Sequence, residues 1–214
     1  MTLHDISVLT GPETPEWPGD TPFSCGWTAR LDAGATVNLT TITTSPHVGT
    51  HADAPLHVRD GAPASDLLPA DAFVGPAAVI TIDGPPRDIG VTEIMARVPV
   101  GIVRLLLRTR RSIAAGSFPE DWPALEPSTA RALIARGLRL LGVDAPSVDR
   151  RTSATLAVHH VLFDGGAVVL ENLDLRAVED GIYELIALPL RWAGLDAAPV
   201  RAVLRTASAA STGR

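Results

Sequence analysis

A chain of 214 residues with 46% apolar and 20% charged side chains has room for one domain with a sizeable core. Its formal net charge of −6 gives no sign of affinity for nucleic acid, and all 18 basic residues are arginine, which removes Schiff-base lysine chemistry. The lone cysteine, Cys25, excludes an internal disulfide and a cysteine-based structural zinc site, and reads as a small apolar strand residue.

The N-terminus has no basic segment leading into an apolar run, and no apolar stretch reaches membrane-spanning length, so a cytoplasmic protein without a membrane partner is expected. Ile6 to Leu9 reads as a first strand, followed by a proline-rich loop from Thr10 to Pro22. Phe23 to Arg30 and Thr36 to Thr43 are rich in β-branched and aromatic residues and read as two strands joined at Asp32-Ala33-Gly34. Ala77 to Ile82 and Ile102 to Arg108 are compact apolar runs suited to buried strands. Between them a short helix is expected over Thr92 to Val98, capped by Thr92.

Arg110 to Pro127, broken by Gly116, Pro119 and Pro123, reads as a long surface excursion of the kind that serves function or covers a partner subunit. A helix follows over Ser128 to Arg136, with Ser128 as cap and Gly137 just past its end. Leu138 to Val143 returns to strand character, and a helical stretch from Ser153 to Phe163 stops at Gly165-Gly166. Ala167 to Leu170 is a short strand ending at Glu171; Tyr183 to Leu190 and Val200 to Thr206 are the last two. The expectation is one mixed α/β domain over residues 1–206 with a disordered tail at 207–214.

One segment concentrates the chemistry. His47-Val48-Gly49-Thr50-His51-Ala52-Asp53-Ala54-Pro55-Leu56-His57 holds three of the six histidines and a carboxylate. Imidazole and carboxylate are ligands that first-row divalent metals accept, manganese, zinc and cobalt among them. Pro46, Gly49 and Pro55 rule out a continuous helix, so the ligands are expected on a turning loop supported by the preceding strand. A second cluster is His159-His160 with Glu171. Neighbours on a helix point about a quarter-turn apart, so one histidine of the pair is expected to bind and the other to pack.

The pattern His47-x-Gly49-Thr50-His51-x-Asp53-x-Pro55-x-His57 resembles the signature of the cyclase-like metal hydrolases, and within them that of the bacterial kynurenine formamidases, or arylformamidases. The likeness extends to Trp17, His159-His160, Leu170-Glu171 and the run Tyr183-Glu184-Leu185-Ile186-Ala187-Leu188-Pro189-Leu190. It implies a swivelling β/α/β fold, a homodimer and two zinc ions per subunit. By position His47, His51 and Asp53 would hold the first zinc, Asp53 and Glu171 would bridge both, and His159 would complete the second. His57 would be the acid–base residue and Trp17 a residue of the substrate pocket.

The implied reaction is hydrolysis of N-formyl-L-kynurenine to L-kynurenine and formate, with a metal-activated water as nucleophile. The departing aryl amine needs a proton, which suits histidine; a further metal ligand or a support for one is the other reading of His57. Trp17, on a loop, is suited to stack on an aromatic ring or to plug a subunit contact. Arg59 and Arg110 are candidate partners for the substrate carboxylate. An isatin-hydrolase-like enzyme that opens cyclic amides would keep the metal loop, and a metal-dependent binding protein without turnover would have less need of His57.

Overall fold

The computed structural model describes residues 2–206; the expected tail at 207–214 lies outside the described residues. The strands are β1 (Leu3–Asp5), β2 (Ser24–Ala29), β3 (Leu39–Thr43), β4 (His51–Asp53), β5 (Val74–Thr81), β6 (Asp88–Ile89), β7 (Arg104–Arg108), β8 (Ala124–Leu125), β9 (Leu140–Val143), β10 (Val168–Glu171), β11 (Gly181–Ile186), β12 (Ala197–Pro199) and β13 (Val203–Thr206). The helices are α1 (Val91–Met95), α2 (Pro127–Ala135) and α3 (Ala157–Asp164).

Nine strands form one sheet in the order β1-β13-β11-β5-β7-β9-β10-β4-β12. Its middle, β5-β7-β9-β10, is parallel, and the flanking pairs are antiparallel. β12 is one edge and β13 lies next to the other, yet only Val200, Arg201 and Ala202 separate them. A link that short spans little more than ~10 Å, so the sheet curls until its edges approach. An antiparallel bridge between Ser7 and Leu173 ties the same closure.

Side chains alternate across this curled sheet with the period of two that strands impose. Leu106, Leu140, Leu170 and Val79 point into an inner core with Ile6, Phe73 and Leu204. Leu105, Leu107, Leu141 and Val169 point outward against Leu133, Leu162 and Trp122. A side chain at Gly142 would collide with Leu106 and Leu173. The result is the single mixed α/β domain read from the sequence, with few helices. No helix among the described residues is long and apolar enough to cross a membrane.

Several local expectations differ from the structure. The first strand is Leu3–Asp5 rather than Ile6 to Leu9; Ile6 is buried at its end, whereas Leu9 is 94% exposed. The two strands before the histidine segment pair only with each other, as an exposed hairpin carrying Cys25, and do not support that segment. Thr92 and Ser128 do not cap their helices: Gly90 precedes α1, and Glu126 precedes α2, with Pro127 as its first residue. The excursion from Arg110 to Pro127 packs on its own chain, with Ile113, Trp122, Ala124 and Leu125 buried. Helix α3 starts at Ala157 because Leu156 adopts a left-handed conformation, φ 46°.

Candidate metal centre

His51 and Asp53 fall two apart on β4 and share one face, while Ala52 between them enters the inner core. The segment is therefore part strand, where a turning loop was expected throughout. β4 lies between β10 and β12, and its register sets His51 opposite Glu171. The chain reaches β4 through Gly49, φ 76°, where a side chain would strike Thr10 Oγ1. That turn aims the Gly49 carbonyl at His51 Nδ1, 2.9 Å away.

Two triads of ligand atoms result. His47 Nδ1 and His51 Nε2 lie 3.1 and 3.3 Å from Asp53 Oδ1. His159 Nε2 lies 3.2 Å from Asp53 Oδ2 and 3.3 Å from Glu171 Oε1. The Asp53 carboxylate thus contributes one oxygen to each triad, and Glu171 Oε2 faces His51 Nε2 at 3.6 Å.

The outer nitrogen of each histidine is occupied. His51 Nδ1 meets the Gly49 carbonyl, His159 Nδ1 meets Asp149 Oδ2 at 2.7 Å, and His47 Nε2 meets Asp196 Oδ2 at 3.0 Å. Such outer acceptors fix the tautomer that presents a lone pair inward.

Charge in the cluster is poised for a cation. Burial opposes a charged His47, but Asp196 and Asp53 outweigh it and raise its pKa to about 10. Burial opposes charge on His51 too, and Asp53 lifts it to about 9. His159 is raised well above its ordinary value because Asp149, Asp53 and Glu171 overcome its burial. Burial likewise resists ionisation of Asp53, yet His51, His159 and His47 hold its carboxyl well below the usual range. The hydrogen bond from His47 does the same for Asp196. Ionised carboxylates at this density require positive charge at the imidazole nitrogens, supplied by protons or by a metal that displaces them. His51 Nε2 and Asp53 Oδ1 are buried without a hydrogen-bond partner among the described residues. A divalent cation between them satisfies both, so the residues present fit a divalent metal.

A cavity of about 290 Å³ opens onto these groups, walled by Trp17, Phe118, Leu156 and Pro146 with His57, Ser147 and Asn172. The Trp17 ring meets Phe118 and Trp122 edge-to-face at 5.4 and 5.9 Å. His57, on a 3-10 turn over Pro55–His57, sits against His47 with ring centres 4.4 Å apart. The seven residues to which the resemblance gives a role, His47, His51, Asp53, His57, His159, Glu171 and Trp17, therefore meet at one place. His160 points away to a separate surface cleft beside Arg59. Arg59 and Arg110 are paired with Asp164 and Asp83 and do not line the cavity.

Sequence reading missed Asp149, Asp196, Phe118 and Asn172. The carboxylates carried no spacing signal: Asp196 reaches His47 from 149 residues away, and Asp149, ten residues before His159, belongs to no recognisable ligand spacing.

A family model described as "Putative cyclase" matches residues 4–150. The chain is similar to a kynurenine formamidase of Salinibacter ruber, 45% identical over 97% of this chain and 99% of that one. It is 45% identical to a kynurenine formamidase of Bordetella avium over 95% of this chain and 97% of that one. A solved structure titled as a potential metal-dependent hydrolase with cyclase activity superimposes with TM-score 0.81 at 26% identity, covering 95% of this chain and 96% of that one. Isatin hydrolase A of Labrenzia aggregata superimposes with TM-score 0.80 over 97% of this chain and 94% of its own; at 24% identity this likeness concerns the fold alone.

Proposed function

The chain belongs to the cyclase family and, within it, to the kynurenine formamidases, and from that premise we propose that it hydrolyses N-formyl-L-kynurenine to L-kynurenine and formate in tryptophan breakdown. The observation that carries the reading is Asp53, whose two oxygens join two ligand triads on the floor of a cavity with aromatic walls. Ring opening of isatin is not favoured, because the relatives at 45% identity are formamidases. Purified, metal-loaded protein should release kynurenine from N-formylkynurenine and leave isatin largely intact. Faster opening of isatin, or no turnover of either, would overturn the proposal.

In this reading His47, His51 and Asp53 would hold one zinc ion, and Asp53, His159 and Glu171 would hold a second. Ions bound there would activate water as the nucleophile and supply Lewis acidity for the formyl oxygen. His57 donates a hydrogen bond from Nδ1–H to Asp196 Oδ2, 3.3 Å away, which leaves the Nε2 lone pair for the cavity. Nε2 takes the proton that the attacking water loses and passes it to the aryl amine nitrogen as the C–N bond breaks. Trp17 and Phe118 hold the aryl ring and exclude water from its faces.

The active form we propose is a homodimer in the cytoplasm, with residues 1–206 as one domain and no nucleic-acid partner. Its support is the β2–β3 hairpin, which exposes Trp27 at 56%, Ile42 at 53% and Leu39 at 51%. An isolated two-stranded hairpin is marginal in water, and a second copy of this chain would cover that surface.

A further inference from the structure

Asp196 Oδ2 lies 3.0 Å from His47 Nε2 and 3.3 Å from His57 Nδ1. One carboxylate oxygen therefore accepts from two imidazoles, one a ligand of the metal centre and the other beside the substrate cavity. The placement of Asp196 is set by the backbone: its own carbonyl accepts the Ala54 N–H at 2.8 Å, one residue past Asp53. The loop ahead of β12 is thus pinned to the strand that carries the ligands.

A neutral imidazole has one N–H, and a carboxylate accepting at one nitrogen decides which nitrogen keeps the lone pair. At His47, donation from Nε2 leaves Nδ1 facing Asp53 Oδ1. At His57, donation from Nδ1 leaves Nε2 for the cavity. Asp149 serves His159 alone in this way; Asp196 serves two rings at once. We infer that Asp196 is a positioning residue: it sets the tautomer and ring orientation of His57 and, through His47, ties that orientation to the filling of the metal centre. The part concerning turnover rests on the formamidase reading, whereas the tautomer and metal-affinity parts do not.

The test uses Asp196→Ala and Asp196→Asn in the metal-saturated protein. For Asp196→Ala, kcat should fall by about 100-fold or more with KM within about 3-fold, as for loss of an orienting carboxylate behind a catalytic histidine. Asp196→Asn, whose amide oxygen can take both hydrogen bonds without charge, should recover about tenfold of that loss. Placed in a His57→Ala background, Asp196→Ala should cost no further kcat. Nitrogen-15 spectra should show a protonated Nδ1 at His57 in the parent and a mixture of tautomers in Asp196→Ala. Metal affinity, read by chelator competition, should drop about 10–100-fold. A kcat change under about 3-fold at metal saturation, an undiminished loss in the His57→Ala background, or an unchanged His57 tautomer would each overturn the inference. Should the parent fail to hydrolyse formylkynurenine, the tautomer and metal-affinity measurements still decide it.

Discussion

Asp149 Oδ2 lies 2.7 Å from His159 Nδ1, and the same carboxylate accepts the backbone N–H groups of Val158 and His159 at 3.0 Å each. Helix α3 has no side-chain cap from Leu156, the left-handed residue before it, so a carboxylate from outside the helix does this work. Capping and imidazole orientation are therefore two outputs of one side chain. Asp149→Ala should destabilise the metal-free protein by about 1 kcal/mol and weaken metal binding about 10–100-fold. Urea denaturation and chelator competition measure the two effects separately. Lost stability with unchanged metal affinity would show that Asp149 acts only as a cap.

His51 and His57 are six residues apart and are predicted to fail differently. His51 is buried with Nε2 aimed at Asp53 and Glu171, so as a proposed ligand its replacement in His51→Ala should strip metal and activity together. His57 keeps 30% of its side chain exposed, and among the described residues its ring bonds the carboxylate of Asp196 alone. His57→Ala should retain metal while kcat falls about 10²–10⁴-fold, the usual cost of losing an acid–base group. Elemental analysis beside steady-state kinetics reads both. A His57→Ala protein that loses its metal would make His57 a ligand.

Trp17 is 40% exposed, yet its ring is locked edge-to-face against Phe118 and Trp122. Trp122 is fully buried and donates its indole N–H to the Asp149 carbonyl at 2.7 Å, so the aromatic wall leans on the backbone beside the metal centre. Trp17→Ala should raise KM for an aryl formamide about 3–10-fold, the equivalent of one aromatic pair, and leave an aliphatic formamide unaffected. Equal effects on both substrates would assign Trp17 to general packing.

How much of this was legible in the sequence follows from how far each contact reaches along the chain. His47, His51, Asp53 and His57 sit within eleven residues, so their convergence needed no knowledge of the fold. Apart from the family resemblance, Glu171 was no more than a carboxylate at a strand end, and its place beside His51 follows from the pairing of β10 with β4. Asp196 was invisible for the same reason, whereas Asp149, only ten residues before His159, went unseen because the left-handed turn at Leu156 that folds it back onto its histidine leaves no sequence pattern. The helix caps failed because Thr92 and Ser128 each lie inside the helix they were expected to start. The curl of the sheet was hidden too, since it depends on β12 and β13 lying near opposite edges.

The loop bearing Phe118 and Trp122 is held by Arg150, whose guanidinium pairs with Asp121, Nε at 3.0 Å from Oδ1. Asp121 Oδ1 also accepts the Trp122 N–H at 2.9 Å. Arg150 first, and that backbone hydrogen bond with it, hold the Asp121 carboxyl below its ordinary value of 3.8 against the pull of partial burial. A carboxylate with a depressed folded pKa contributes stability above its unfolded pKa and loses it as pH falls through the folded value. The unfolding free energy of the parent minus that of Asp121→Asn should therefore stay constant from about pH 7 to pH 5 and shrink below about pH 4. With both side chains about a quarter exposed, the plateau should not exceed about 1 kcal/mol. A difference that grows on acidification would mean the Asp121 carboxyl is raised rather than lowered.

The apolar face of the β2–β3 hairpin makes the last prediction. All of β3 is exposed; Trp27 and Ile42 share one face of the hairpin and Leu39 lies on the other, and none has a core beneath it because the hairpin pairs with no strand of the main sheet. Charge placed on such a face costs little in a monomer but much in an interface, where an unpaired buried ion is penalised by several kcal/mol. Ile42→Asp should therefore leave the fold and metal content intact while converting a dimer to monomers, as read by light scattering across a concentration series. A parent protein that is monomeric throughout that series, or an Ile42→Asp protein that remains dimeric, would remove the hairpin from the interface.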